Sequence, residues 1–324
     1  MASGNQLKAL IKSYKEGDDS RFYATAMQIA ASEAKKGNKN LATQLRDLID
    51  EAKKNTNIES SRYAVPIARP QGELSELLEV FYPDTRIDDM VLHEETKNSL
   101  SKIINEQKEK RKLIKYGLQP SRKLLLVGPP GCGKTMSAQA IAGELKIPIF
   151  VVRLDGLITK FMGESIAKLR LIFDAMKENR GVYLFDEFDS IGTTRGFSND
   201  VGEIKRVLNS FLLNIENDTS ESIIIAATNF REVLDRALFR RFDDIVNFKM
   251  PEKKQILETT KRHLKNVSLD KGFNFDEVAN QSIGLSYADI VRSCNDAIKS
   301  MLMDNSKSLD HQVLLRILSD RIQY

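Results

Sequence analysis

Short apolar runs alternate with amphipathic stretches through the middle of the chain. The stretches between the runs, at 136–145 and 166–178, carry apolar residues at helical spacing. Nearly continuous aliphatic runs are typical of strands that are buried on both faces of a parallel sheet. The sequence therefore predicts an α/β sandwich, a parallel sheet covered by helices. The predicted strands lie within 123–127, 147–154, 181–186 and 222–229.

The pattern changes on both sides of this region and divides the chain into four segments. Residues 1–54 contain three stretches with apolar positions at helical spacing, which predicts a small N-terminal three-helix module. Residues 55–72 are polar, contain two prolines and end on a glycine, as is typical of a linker. The α/β region follows over 73–250. Residues 251–324 show only helical periodicity, so a smaller helical lid subdomain is expected there.

Composition and charge favour an ordinary globular protein over a nucleic-acid-binding, disulfide-rich, secreted or membrane protein. The 324 residues are 41% apolar and 29% charged, as in an ordinary globular protein, and the net charge of +4 is too small to indicate nucleic-acid binding. Two cysteines form no disulfide framework, and three scattered histidines lack zinc-ligand spacing. The N-terminus lacks the apolar core of a signal peptide, and no apolar run approaches the roughly 18 residues that span a bilayer. We expect a cytoplasmic protein with neither nucleic acid nor membrane as a partner.

The segment GPPGCGKT, residues 128–135, follows the first apolar run and opens a helical stretch. This is the setting that a phosphate-binding loop requires, because glycines let backbone N–H groups converge on phosphate oxygens and the helix adds its positive end. Lys134 is expected to reach the β- and γ-phosphates, and the Thr135 hydroxyl to hold Mg²⁺. The residues expected to contact the nucleotide here are Pro130, Gly131, Cys132, Gly133, Lys134, Thr135 and Met136.

Polar residues end two further apolar runs. VYLFDEFDS places Asp186 at the carboxyl end of the sheet, where it is expected to hold the Mg²⁺ through water. The adjacent Glu187 is placed to polarise an attacking water as a general base. SIIIAATN ends in Asn229, whose amide could hold the same water or the γ-phosphate. Asn is also a common turn residue at a strand end, and both interpretations remain open.

These motifs, together with the segment LDRALFRRFD, resemble the AAA subfamily of P-loop ATPases over roughly residues 85–300. The resemblance implies ATP and Mg²⁺ as cofactors and a homo-oligomeric ring, usually a hexamer, with ATP bound between neighbouring subunits. In the family, adenine is read largely through backbone groups at the positions of Met90 and Val91. The lid approaches the ribose in a segment similar to GLSYADI, which implicates Ala288.

Two positions of the lid depart from the family pattern. Tyr287 replaces the usual glycine of the ribose segment, so the contact there must differ. Thr260 stands where the lid helix often carries a histidine near the adenine, and His263 lies nearby; that role is not transferred to either residue.

The arginine pair within ALFRRFDD has an expected role in the ring. The resemblance implies that Arg240 and Arg241 face the γ-phosphate of the neighbouring subunit, with Arg240 in contact and Arg241 in support. The family usually separates its two arginines by a few residues that include a glycine, whereas these two are adjacent. An ion pair with Asp243 or Asp244 within the same chain is the alternative.

TKFMGES, residues 159–165, resembles the pore-loop segment of the family. Phe161 and Met162 would then project into the central channel and contact an extended polypeptide, although core packing is the alternative for this pair. Arg195 and Phe197 are candidates for a second channel loop. The leading prediction is therefore an ATP-driven remodeller or unfoldase that threads protein substrates through a ring.

Two other functions remain open, a nucleic-acid motor or loader and a scaffold that binds ATP without hydrolysing it. The N-terminal segment resembles that of small bacterial AAA ATPases that are often paired with a subtilisin-like serine protease, and more loosely that of katanin-type remodellers. The chain contains neither a GxSxG nor an HExxH motif. Any proteolysis is therefore expected to come from a separate partner protease.

Overall fold

The computed structural model describes residues 25–27, 29–30, 38, 42–44, 70, 72–157, 162–188, 200–229 and 239–322. Contacts divide the chain into two units, Met1–Tyr63 and Ala64–Tyr324. In the first unit, residues 25–27, 29–30 and 42–44 are helical and Ala30 is buried. The rest of the predicted three-helix module and most of the predicted linker lie outside the described residues.

A six-stranded sheet forms the centre of the second unit. The strands lie in the order β1-β3-β4-β5-β2-β6, and all neighbours are parallel except β1, which is antiparallel to β3. Each predicted run contains one of the four inner strands, so the predicted sheet is confirmed. The strands are β1 Leu78–Phe81, β2 Lys123–Val127, β3 Ile149–Val152, β4 Val182–Phe185, β5 Ile223–Thr228 and β6 Asp244–Asn247.

The two edge strands, β1 and β6, lie outside the predicted runs. Each has four residues, and β6 reads DIVN, with only two apolar residues. A segment this short and mixed does not stand out from a loop in an apolar pattern. The antiparallel direction of β1 is a further difference from the predicted parallel sheet.

Helices cover both faces of the sheet because successive strand residues point to opposite sides. In β4, Tyr183 and Phe185 pack in a cluster with Phe211, whereas Val182 and Leu184 pack in a second cluster on the other face. Ring centroids of Phe185 and Phe211 lie 4.7 Å apart. The helices before the lid are α1 Leu74–Leu77, α2 Glu94–Lys108, α3 Lys110–Lys115, α4 Lys134–Leu145, α5 Leu154–Leu157, α6 Met162–Glu178 and α7 Asp200–Asn217, with a 3₁₀ helix at Ile87–Asp89.

The C-terminal part consists of four helices with a core of their own. They are α8 Lys253–His263, α9 Phe275–Gln281, α10 Tyr287–Met303 and α11 His311–Ile322. Their shared cluster includes Ile256, Ile290, Cys294 and Leu314, which are all fully buried. This agrees with the helical periodicity of the segment, although the boundary at residue 250 stays a prediction. Of the helices that the structure describes, none combines the length and apolarity needed to cross a membrane.

Candidate active site

Three loops meet at the carboxyl ends of neighbouring parallel strands. The phosphate loop follows β2, Asp186 follows β4 and Asn229 follows β5, and β5 pairs with both other strands. Parallel strands end at the same edge of a sheet, so the chain brings these three features together although about 100 residues separate the first from the last. The sheet topology therefore builds the site.

The loop itself adopts backbone conformations that favour glycine. Gly131 has φ 71° and Gly133 has φ 93°, both in the left-handed region that side chains with a Cβ rarely adopt. Gly133 is the N-cap of α4, so the loop ends where the helix presents its unpaired N–H groups and its positive dipole end. This arrangement is suited to binding an anion.

Lys134 folds back over the loop. Its side chain is almost fully buried, at 7% exposed, and its Nζ donates to Gly128 O at 2.7 Å and to Pro129 O at 2.8 Å. A third hydrogen bond, of 2.8 Å, runs to Asn229 Oδ1. The amide oxygen of Asn229 thus faces the lysine of the phosphate loop. Its role toward a water or the γ-phosphate stays a prediction.

Thr135 and Asp186, the two residues predicted to hold Mg²⁺, are in direct contact. Thr135 Oγ1 donates to Asp186 Oδ2 at 2.6 Å, and the backbone N–H of Glu187 donates to Asp186 Oδ1 at 2.9 Å. A hydroxyl and a carboxylate are the oxygen ligands that Mg²⁺ prefers, and protein sites commonly supply only one or two of its ligands beside phosphate and water. These residues fit the predicted ion.

Glu187 has an unusual backbone conformation. Its φ is 48°, which places a non-glycine residue in the left-handed region, and its side chain is exposed to the cavity. Such conformations cost free energy and concentrate at functional sites. The conformation is consistent with the general-base prediction.

These groups line one cavity of about 730 Å³, a size suited to a small-molecule ligand. We call the part lined by the phosphate loop, Asp186, Glu187 and Asn229 the phosphate end of the cavity; residues 89–92 and the lid line the rest. Contact with a nucleotide stays a prediction for each of these residues. All ten predicted nucleotide-contacting residues line the cavity: Met90, Val91, Pro130, Gly131, Cys132, Gly133, Lys134, Thr135, Met136 and Ala288.

The lid contacts the phosphate loop through the start of α10. The N–H of Ala288 donates to Gly131 O at 3.1 Å, and a Cβ on Gly131 would lie only 2.4 Å from Ser286 Oγ. Ser286 and Asp289 form a capping box at this end of α10, which fixes the backbone that meets the loop. Gly131 is therefore required for its conformation and for the close approach of the lid.

Part of the lid wall is not predicted from the sequence. Thr259, Arg262 and His263 of α8 line the cavity, whereas Thr260, the position with a family role, is buried in the lid and does not. Their spacing of three and four residues puts the three on one helix face, which is the only signal that the sequence carries.

Tyr287 and Cys132 also line the cavity. The Tyr287 hydroxyl is buried without a hydrogen-bond partner among the described residues, and burial raises its pKa. Burial likewise raises the pKa of the Cys132 thiol, whose Sγ lies 3.6 Å from Met250 Sδ. Both groups are therefore neutral at pH 7.

The arginine pair lies outside the cavity lining. Arg240 is exposed, and Arg241 Nη2 lies 3.5 Å from Glu216 Oε2. Asp243 instead accepts hydrogen bonds of 2.9 Å from two backbone N–H groups, those of residues 122 and 123. Among the described residues, neither arginine forms the alternative ion pair with Asp243 or Asp244.

The side chains of the predicted channel residues are not among those that the structure describes. Phe161, Arg195 and Phe197 lie outside the described residues, as does the side chain of Met162, where α6 begins.

Comparison with known proteins agrees with this geometry. The profile of the family described as ATPase family associated with various cellular activities (AAA) matches residues 124–250. The AAA family ATPase y4kL of Sinorhizobium fredii is 36% identical over 322 residues, which is 99% of this chain and 96% of that protein. The ATP-dependent zinc metalloprotease FtsH of Sulfurovum is 34% identical over 255 residues, 76% of this chain and 38% of the relative. FtsH of Helicobacter pylori is 34% identical over 252 residues, which is 75% of this chain and 40% of that protein.

The matched segment runs from β2 past β6 and contains the phosphate loop, both acidic residues and the arginine pair. The chain spans about two fifths of the length of the FtsH relatives but nearly the whole of the Sinorhizobium protein. It belongs to the AAA family of ATPases.

Proposed function

We propose that this ATPase remodels or unfolds protein substrates as a ring of identical subunits in which each subunit completes the site of its neighbour. The observation that carries the proposal is the separation of two cationic groups. Lys134 is buried at the phosphate end of the cavity, whereas Arg240 is exposed on a turn outside it. An arginine that is exposed on the surface of one subunit can contact a phosphate bound in the adjacent subunit.

In this proposal the chain's own residues divide the hydrolytic work. The ammonium group of Lys134 exchanges its hydrogen bond to one loop carbonyl for a hydrogen bond to a phosphate oxygen. Asn229 holds the Lys134 ammonium and the attacking water in place. The oxygen of the water bonds to the γ-phosphorus, the bond to the bridging oxygen of ADP breaks, and Glu187 accepts the proton of the water. Mg²⁺, when held by Thr135 and Asp186, supplies positive charge beside the phosphates.

Arg240 is the proposed partner from the adjacent subunit. The neighbouring Phe242 is buried at 7% exposed, which fixes the backbone of the turn while leaving Arg240 in solvent. Arg241 is held by Glu216 and therefore supports the turn. An arginine in this position stabilises the charge that develops on the departing phosphoryl group.

The relatives support a protein as substrate. The FtsH relatives are named as ATP-dependent proteases, and the shared residues contain the AAA module. We propose that this chain performs the ATP-driven handling of a protein and that a separate protease, of the subtilisin-like serine class, performs any cleavage. Phe161 and Met162 are the proposed channel contacts.

The test is stimulation of ATP hydrolysis by a permanently unfolded protein, with carboxymethylated lactalbumin as the probe. We expect stimulation of the wild type, and loss of that stimulation with unchanged basal hydrolysis in Phe161→Ala. Lys160→Ala, a change at the preceding position of the sequence, is the matched control and should respond as the wild type does. Stimulation by double-stranded DNA and not by the unfolded protein would instead support a nucleic-acid motor.

A further inference from the structure

Asp243 joins the arginine turn, residues 240–243, to the start of β2. One oxygen of its carboxylate, Oδ2, accepts hydrogen bonds from the backbone N–H groups of Arg122 and Lys123, both at 2.9 Å. The backbone N–H of Asp243 donates to Lys123 O at 2.7 Å. Because β6 begins at the next residue, these three hydrogen bonds fix the point where the turn enters the edge strand.

The start of β2 is itself firmly held. The guanidinium group of Arg122 forms an ion pair with Asp218, whose side chain is fully buried, and also donates to the backbone carbonyl of that residue. Lys123 Nζ donates to Glu216 O at 3.5 Å. Both contacts lie at the end of α7, and β2 is paired on both sides, with β5 and with β6. Asp243 therefore attaches the turn to a fixed part of the sheet.

The position of Arg240 depends on the backbone of this turn. Its exposed side chain forms neither a hydrogen bond nor an ion pair with any residue that the structure describes. Phe239 and Phe242 pack against the core cluster on one face of the sheet, but apolar packing has no preferred direction. Hydrogen bonds have a preferred distance and angle. The contacts of Asp243 therefore define where the turn lies along β2.

We propose that Asp243 is a positioning residue that holds Arg240 where it can reach the phosphate bound in the adjacent subunit. The inference rests on the proposed shared site and goes beyond it, because Asp243 lies outside the cavity lining and acts through Arg240. It also gives Asp243 a task other than the ion pair with an arginine that the sequence left open.

Two substitutions separate the geometry of this contact from its charge. A single oxygen accepts both N–H groups, so the contact needs an acceptor at one point and not a negative charge. In Asp243→Asn, the amide oxygen can take that position, although neutral hydrogen bonds are roughly half as strong as charged ones. In Asp243→Glu the charge remains, but the added methylene moves the oxygen away from the two N–H groups.

The experiment measures turnover at saturating ATP and the dissociation constant of ADP for full-length variants. We expect Asp243→Glu and Asp243→Ala to slow turnover about 10- to 100-fold, because misplacing a catalytic group by about 1 Å costs up to about 100-fold. Asp243→Asn should stay within about threefold of the wild type, since it keeps both hydrogen bonds in weaker form. The affinity for ADP should be unchanged in all three variants, because Asp243 does not line the cavity.

Asp244→Asn is the matched control. It removes the same charge from the adjacent residue, whose carboxylate lies 3.7 Å from Lys102 Nζ and accepts from the backbone N–H of Ile245. Turnover should equal that of the wild type, because the Asp244 side chain does not bind the start of β2.

Mixed rings show which site Asp243 serves. When Asp243→Ala is mixed with Glu187→Gln, some interfaces combine an intact Glu187 with an intact arginine turn, so turnover should return in part. When Asp243→Ala is mixed with Arg240→Ala, every arginine turn in the ring is altered, so turnover should stay low. A defect in the subunit's own nucleotide site would give the reverse pattern, because Arg240→Ala supplies an intact site and Asp243→Ala an intact arginine.

Three results would overturn the assignment. Turnover that survives in Asp243→Glu and is lost in Asp243→Asn would show that the charge matters and not the contact with β2. Wild-type turnover in all three variants would show that the turn does not need Asp243. Loss of ADP binding, or the reverse pattern in mixed rings, would place the effect in the subunit's own nucleotide site. Wild-type turnover of Arg240→Ala, with Asp243 unchanged, would instead overturn the shared site, and the inference would fall with it.

Discussion

The phosphate end of the cavity and the arginine turn are both cationic, but they are built in opposite ways. At the phosphate end, Lys134 is buried and its ammonium donates to three oxygens of its own chain. In the turn, Phe242 is buried while Arg240, two residues before it, is exposed. Lys134 is thus fixed inside the subunit, whereas Arg240 lies at its surface.

We propose that this difference separates nucleotide binding from catalysis. A buried lysine with its hydrogen bonds already made is preorganised for phosphate, so in this proposal nucleotide binding needs one subunit only. The exposed arginine, on a fixed backbone, would lose little hydration until a second subunit arrives, and its proposed role is to stabilise the charge of the transition state there. We therefore expect substitutions in the two regions to affect different measurements.

Replacement of Arg240 should have the largest effect. Arg240→Ala removes the proposed cation from the neighbouring site, and the loss for such arginines is roughly 10³-fold or more in turnover. Affinity for ATP should stay unchanged, because Arg240 does not line the cavity of its own subunit. Steady-state hydrolysis and equilibrium binding of a labelled nucleotide measure the two effects separately.

Mixing two inactive variants decides whether Arg240 acts on its own subunit or on the next. Glu187→Gln lacks the proposed base but keeps Arg240, and Arg240→Ala keeps the base. In a mixed ring, some interfaces combine an intact Glu187 with an intact Arg240, so turnover should return in part. A mixture that assembles but stays as inactive as its components would contradict the shared site.

Replacement of Lys134 should act on binding, and less strongly. Lys134→Met keeps an unbranched side chain of similar length and removes the charge. Because hydrogen bonds to charged groups contribute about 1.5–3 kcal/mol, the affinity for ATP should fall roughly 10- to 100-fold. Calorimetric titration at several protein concentrations measures the loss and shows that it does not depend on assembly. Unchanged affinity would mean that the ammonium serves the loop and not the ligand.

The phosphate end could be predicted from sequence because its chemistry restricts both residue type and spacing. Gly131 and Gly133 need left-handed backbone, Lys134 needs to follow them, and Asp186 needs a buried strand before it. The inner strands could be predicted for a related reason, since burial on both faces demands an uninterrupted apolar run. These requirements act over a few neighbouring residues.

The lid wall and the edge strands depend on contacts that are remote in the chain. Arg262 donates to Asp88 O across 174 residues of sequence, and it lies on the face of α8 that lines the cavity. Within α8, the family position falls on Thr260, to which no role is transferred, whereas Thr259 is among the residues that line the cavity. Likewise β6 is a strand because it pairs with β2, not because DIVN is strongly apolar.

Replacement of Arg241 should have the smallest effect, and it tests whether the two arginines of the turn differ in role. Its side chain is 28% exposed and lies 3.5 Å from Glu216, which is 58% exposed. Exposed ion pairs contribute at most about 1 kcal/mol, so Arg241→Ala should slow turnover less than about fivefold if Arg241 only supports Arg240. Glu216→Gln should cause the same loss, and the double variant no more than either one, because both remove one interaction. Raised salt should reduce the difference from the wild type, since it screens the pair. If instead Arg241→Ala slows turnover as much as Arg240→Ala while Glu216→Gln has no effect, both guanidinium groups reach the neighbouring phosphate, and the turn contributes two catalytic cations.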